Sequence, residues 1–328
     1  MSFLTTGLSG CKNFEEVSDL GKRSEIIKAT SVAIGKDFYQ SCVNRANLPD
    51  SGFFPAIINT RKKDGELKQC EEKFAPASQK IIEANNVLVV YLEKLAILAD
   101  EDTGTIPEKD KTELTNAVNG LVGALTNTGI TIPDIVTNNV DQGIGILGVV
   151  FDIIGDQIKE DAIVPAMICT DDEIQGYTEG LEQIASQVYV NALNTEVDEV
   201  DLYFTRHQPR GNFDNPSASY SLVKLDELYV SRQEDIEKRI DVAKAFAEVL
   251  KETRNTHSKI SQEFEKDFNY GKGKNKDAFC NNYESQIETA DASFKIKPAQ
   301  AQKISRILKD YQKNTAPLFK KLEQFKFD

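Results

Sequence analysis

Leu67-Lys-Gln-Cys70-Glu-Glu-Lys-Phe74-Ala-Pro76-Ala77-Ser-Gln-Lys-Ile81-Ile82-Glu-Ala84-Asn-Asn-Val87-Leu88-Val89-Val90-Tyr91-Leu92-Glu-Lys-Leu95-Ala-Ile-Leu98-Ala99 is the stretch that decides the fold. Apolar or small residues recur at 67, 70, 74, 77, 81, 84, 88, 91, 95 and 98. That 3-4-3-4 spacing is the seam of a coiled-coil-like helix. Ile82, Val89 and Leu92 widen the stripe, so the helix should lie against more than one neighbour. Val87 to Val90 would suit a strand alone, but it sits inside the helical repeat. Pro76 lacks a backbone N–H, so it should either start the main segment or kink it.

The same period continues outward. Upstream, Phe14 to Ala46 reads as a helix through Val17, Leu20, Ile27, Ile34, Phe38 and Cys42. Pro49, Gly52, Pro55 and Gly65 break the chain after it. Downstream, Pro107 suits the first position of a helix reaching about Leu125, stopped by Thr128-Gly129. Pro133 opens another, with Ile135, Val140, Ile144, Leu147, Phe151, Ile154 and Ile158 inward. Thr170-Asp-Asp-Glu173 has the form of a capping box, Thr as cap and Glu three residues on. The helix it opens runs to about Phe204. Asn215-Pro216 then starts a helix with no breaker until about Phe268, roughly 50 residues or about 75 Å at 1.5 Å per residue. Gly271 to Lys276 is a basic loop. One or two shorter helices finish the chain, and Pro317 should divide the last. With no competing strand pattern, the expected fold is all-α: an elongated antiparallel bundle with long coiled-coil-like helices, a single domain over residues 12–328.

The 328 residues hold 39 Lys+Arg against 52 Asp+Glu, a net charge of −13. Nucleic acid is a poor partner for such a chain, because phosphate binding needs clustered cations. The charge is uneven: residues 1–223 hold 18 basic and 34 acidic groups, net −16, and residues 224–328 hold 21 and 18, net +3. Between Thr112 and Thr205 there are 16 acidic residues and one base, Lys159. That run reads as a solvated acidic face. Hydrophobic residues at 40% suffice for a core.

Five Cys and two His complete the inventory of reactive side chains. Leu8-Ser9-Gly10-Cys11 resembles the lipobox of bacterial lipoproteins, in which a peptidase cuts before a Cys whose thiol has taken up lipid. Ten residues precede Cys11 and none is basic, so residues 1–11 match only the remnant of such a signal and anchor. The resemblance implies lipidation at Cys11 and, with Lys12 instead of Asp next to it, sorting to the outer membrane. The body would then face the periplasm or the exterior, held to the membrane by several acyl chains. Four cysteines remain. Cys42 near the end of one expected helix and Cys70 near the start of the next lie at one level of a helical hairpin, so a bridge is plausible. Cys169 and Cys280 pair by elimination. In a reduced cytosol all four would instead be free thiols.

Gly143-Ile-Gly145-Ile-Leu-Gly148 matches a dinucleotide fingerprint as a string, but no strand precedes it, so small-residue helix packing is the expected role. Residues 114–158 as a whole form an apolar, Gly-rich helical hairpin. It resembles the membrane-inserting tongue of helical pore-forming toxins, although Asp134, Asp141, Asp152 and Asp156 are costly at mid-bilayer. His207 and His257 stand 50 residues apart and read as surface residues. Neither has a carboxylate three residues before it, and no Cys-x-x-Cys, phosphate loop or nucleophile elbow occurs. No catalytic, cofactor-binding or metal-ligating residues are therefore expected. The expected function is a non-enzymatic, lipid-anchored interaction or scaffold role with a protein partner. Pore formation or membrane remodelling by 114–158 is the alternative.

Overall fold

The computed structural model describes residues 15–48, 60–100, 108–154, 163–207, 216–266, 268, 275–280 and 297–325. The described residues are almost all helical, no strand occurs among them, and the fold is all-α. Helix α1 spans Glu15–Ala46, α2 Thr60–Gln69, α3 Ala75–Asp100, α4 Glu108–Asn127, α5 Asp134–Asn139 and α6 Gln142–Ile154. Then come α7 Ile163–Cys169, α8 Asp171–Gln183, α9 Val190–His207, α10 Pro216–Glu265, α11 Lys276–Cys280 and α12 Pro298–Gln324. Cys11 and residues 155–158 of the Gly-rich segment lie outside the described residues.

The seam found in the sequence is the centre of the bundle. Cys70, Phe74, Ala77, Ile81, Ala84, Leu88, Tyr91 and Leu95 are all buried. The widening residues Val89 and Leu92 are buried as well, because α3 meets α1 on one side and α4 and α6 on another. Contacts between the α1 and α2–α3 segments pair falling with rising numbers: Lys28–Glu93, Phe38–Phe74 and Cys42–Cys70. Pro76 is the second residue of α3, in its first turn, and the helical run continues through it from α2. The turn Cys70–Phe74 just before it is π-helical, and the Ala75 N–H reaches the Cys70 carbonyl five residues back. The wider turn accommodates a residue that cannot donate.

Helix α10 spans its full expected 50 residues. Along one side it meets α8 and α9, again in opposite sense: His257 with Asp171, Arg254 with Glu182, Arg239 with Glu196, Tyr229 with Asp201. Along another it meets α12: Asn314 with Glu252, Lys321 with Asp241.

Three expected boundaries move. Gly65, expected to break the chain, lies inside α2, so the helical run that carries the seam begins at Thr60. The helix opened by Pro133 is two helices, with a break at Val140–Asp141. Thr137-Asn138-Asn139 are weak helix formers, and the chain turns there through hydrogen bonds from Gly143 to Val140 and Ile144 to Asp141. The break resets the phase, so Ile146, Leu147 and Val150 face inward and Ile144 is exposed. Pro317 does not divide the last helix; α12 runs through it. Pro317 and Lys313 are both exposed, so the carbonyl that loses its donor lies on the water side.

Candidate functional site

Both cystines form as read: Cys42–Cys70, with Cα atoms 5.7 Å apart, and Cys169–Cys280, 5.4 Å apart. The second fastens α11 to the α7–α8 junction, directly beside the best-connected buried polar cluster.

That cluster begins at Thr170. The residue stands at the N-cap of α8 as the capping-box pattern predicts, yet its hydroxyl makes no cap bond. It donates instead to the Ala166 carbonyl at 2.7 Å and lies 2.8 Å from the Tyr91 hydroxyl. Tyr91 Oη is 2.5 Å from His257 Nε2, and His257 Nδ1 is 3.0 Å from Asp171 Oδ1. Ser258 donates to Asp171 Oδ2 at 3.2 Å. His257, expected at the surface, is thus buried at 4% exposure, because the α7–α8 junction folds over its face of α10. A polar residue on a helix reads as exposed when its partners come from 86 and 166 residues away. No local signal marks them.

Hydrogen counting constrains the cluster. Four contacts run from Asp171 through His257, Tyr91 and Thr170 to the Ala166 carbonyl, and each needs one hydrogen. The two hydroxyls supply one each, and the imidazole N–H donates within the same chain of contacts. Burial alone would raise the Asp171 carboxyl. The hydrogen bond and charge of His257, then Ser258 and Lys276, bring it below the ordinary range. Burial drives Tyr91 well above the usual phenol range, so it stays a neutral donor. Asp, His and Tyr in line have the form of a proton relay, but Tyr91 and Thr170 expose no surface. The arrangement holds α3, α8 and α10 together, with Asp171 and Ser258 at its partly exposed edge.

A second buried cluster joins α1, α9 and α10. The Arg239 guanidinium lies 3.1 Å from Asp37 and 2.8 Å from Glu196, all three buried. Burial opposes its charge, but the hydrogen bond to Glu196 and the charges of Asp37, Glu196 and Asp235 more than offset that. Burial pushes the Asp37 carboxyl up; Arg239 and the Tyr189 hydroxyl, which donates to it, compensate only in part.

The Gly-rich segment is packed in its described part, 114–154. A Cβ at Gly143 would lie 2.5 Å from the Tyr177 ring, and one at Gly145 2.9 Å from the Glu173 side chain. Tyr177 reaches past α6 to donate to the Ala84 carbonyl of α3 at 2.7 Å. Gly143 and Gly145 therefore let α6 sit close on α8, as small-residue packing expects. Gly120 and Gly123 on α4, expected to help, do not, since a Cβ at Gly123 would meet nothing and one at Gly120 only the Lys80 side chain. Among the described residues no helix is long and apolar enough to cross a membrane, and no His, Cys, Asp or Glu groups are placed to hold a metal ion.

The surface has one concentrated irregularity. Six large apolar side chains are exposed among the described residues. Five of them, Leu202, Tyr220, Val223, Leu228 and Val230, lie on the arm made by the end of α9 and the first third of α10. The arm has its own inner seam: Val200, Phe204, Tyr229 and Ile236, with the Phe204 and Tyr229 rings 5.3 Å apart. Scattered exposed apolar residues need no explanation, but a cluster does. Comparison with family models, curated proteins and solved structures finds no match to the chain.

Proposed function

We propose that the chain is an exported helical-bundle protein, lipid-anchored at Cys11 in the bacterial outer membrane, with a non-enzymatic interaction or scaffold role. The observation that carries the reading is the pair of cystines, since such bonds persist in oxidising compartments and are rare in the cytosol. The lipobox-like Leu8-Ser9-Gly10-Cys11 supports the anchor. The largely buried polar clusters bind the helices to one another, and the arm concentrates the exposed apolar surface. Both suit a body that presents a face to another protein.

A palmitate analogue fed to cells should label the wild-type protein and leave Cys11→Ser unlabelled; an unlabelled wild type would sink the anchor. Protein from its native host should yield four additional thiols only after reduction. Four free thiols beforehand would remove the case for export.

A further inference from the structure

We propose that the outer stripe of α10, Tyr220, Val223 and Val230, is a docking seam for a cationic amphipathic helix. This rests on the interaction role above and gives that role its partner chemistry. The three side chains are 66, 55 and 45% exposed. They are three and seven residues apart, and Glu227 and Glu234 complete a 3-4-3-4 stripe with them. That is a second helical seam on a helix whose first seam, through Tyr229 and Ile236, already faces α9.

Charge selects the occupant. Over residues 198–206 and 220–238 the exposed carboxylates are seven: Asp198, Glu199, Asp226, Glu227, Glu234, Asp235 and Glu237. Against them stand four exposed cations, Arg206, Lys224, Arg232 and Lys238. Lys224 pairs with Glu227 and Lys238 with Glu234 along the helix, exposed pairs of little energy that a partner's cations can replace. A helix that brings leucine-like side chains onto the stripe and Lys or Arg toward Glu227 and Glu234 satisfies both features. A second copy does not. Pairing α10 with itself in opposite sense, Val223 on Val230, sets Asp226 against Glu227 twice. Pairing it in the same sense sets Glu227 on Glu227 and Glu234 on Glu234. Like charges across an interface are costly. An anionic lipid surface meets the same repulsion.

The test uses the purified full chain and two labelled 18-residue peptides, leucine with lysine at heptad spacing and leucine with glutamate. Fluorescence anisotropy should show saturable binding of the lysine peptide alone. Replacing Tyr220, Val223 and Val230 together by Ser should weaken it at least tenfold, and Glu227→Lys with Glu234→Lys should do the same. Asp141→Lys, on the distant α5–α6 turn, should leave it unchanged. All these sites are exposed, and an unchanged far-UV spectrum checks the fold. Equal binding by the Ser variant would reduce the effect to general attraction of an acidic protein and overturn the seam, as would no binding or binding of both peptides. A dimer in sedimentation that the Ser variant abolishes would assign the stripe to a second copy, and vesicle binding lost in the same variant would assign it to lipid; either overturns the proposal. The binding assay does not involve Cys11, so failure of the anchor and failure of the seam are read separately.

Discussion

Tyr91 and Asp171 bear most directly on how the buried cluster behaves. Removing one partner of a buried hydrogen bond costs more than the bond is worth, because the other group is left desolvated and unpaired. Tyr91→Phe leaves His257 Nε2 and Thr170 Oγ1 without their shared partner, so it should lower unfolding free energy by about 1–3 kcal/mol in denaturant titration. The Asp171 carboxyl lies below its unfolded value of about 3.9, so its contribution is complete above that pH and is lost as pH falls through the folded value. Asp171→Asn should therefore narrow its stability deficit relative to wild type as pH drops from about 5 to about 3, and a deficit constant over that range would contradict the assignment. Arg239 is a harsher case. Arg239→Met strands two buried carboxylates, and breaking such a pair costs about 3–5 kcal/mol. None of these partners was legible in the sequence. Asp171 could be assigned to a helix start and His257 to a helix, but nothing local records that α10 carries His257 to within 3 Å of that start.

Between elements, what the sequence revealed depended on whether the apolar period ran unbroken. It did so in α1, α3 and α10; the bounds of α1 and α10 were legible to within a few residues, while the helical run that carries the α3 seam begins at Thr60, seven residues before Leu67. It failed at Val140–Asp141, where a polar Thr-Asn-Asn run breaks the helix without a Gly or Pro to mark it. Pro317 misled in the opposite direction, lying inside continuous α12 where exposure relieves it, while Pro76 stands in the first turn of α3 beside a π turn. An internal proline costs a helix about 3 kcal/mol, and α12 recovers only part of that through its apolar face. Pro317→Ala should thus raise the thermal midpoint, with a gain of about 1–3 kcal/mol, since alanine meets only solvent there. The close approach of α6 to α8 sets the reverse expectation. Gly143→Ala places a methyl against the Tyr177 ring, and Tyr177 is pinned by its bond to Ala84, so overpacking should cost about 1–3 kcal/mol.

Over the whole molecule, the two cystines close very different lengths of chain. Cys42–Cys70 spans 28 residues and joins neighbouring segments that α1 and α3 already hold together. Cys169–Cys280 spans 111 residues, and within that length lie α8, α9 and all of α10. If the bonds act by restricting the unfolded chain, loop length gives about 3.5 kcal/mol for the first and about 5 kcal/mol for the second. The longer bridge also encloses His257 and Arg239, both buried polar centres, and reducing it enlarges the unfolded ensemble and frees α11, whose Lys276 acts on the Asp171 carboxyl. Denaturant titration should separate the two effects. In reductant the midpoint should fall, and the slope should rise, because an uncrosslinked chain exposes more surface on unfolding. The double variant Cys169→Ser, Cys280→Ser should reproduce most of both changes, and Cys42→Ser, Cys70→Ser less of each. Equal effects from the two pairs would show that strain or local packing, and not the length of chain enclosed, sets what the bridges contribute.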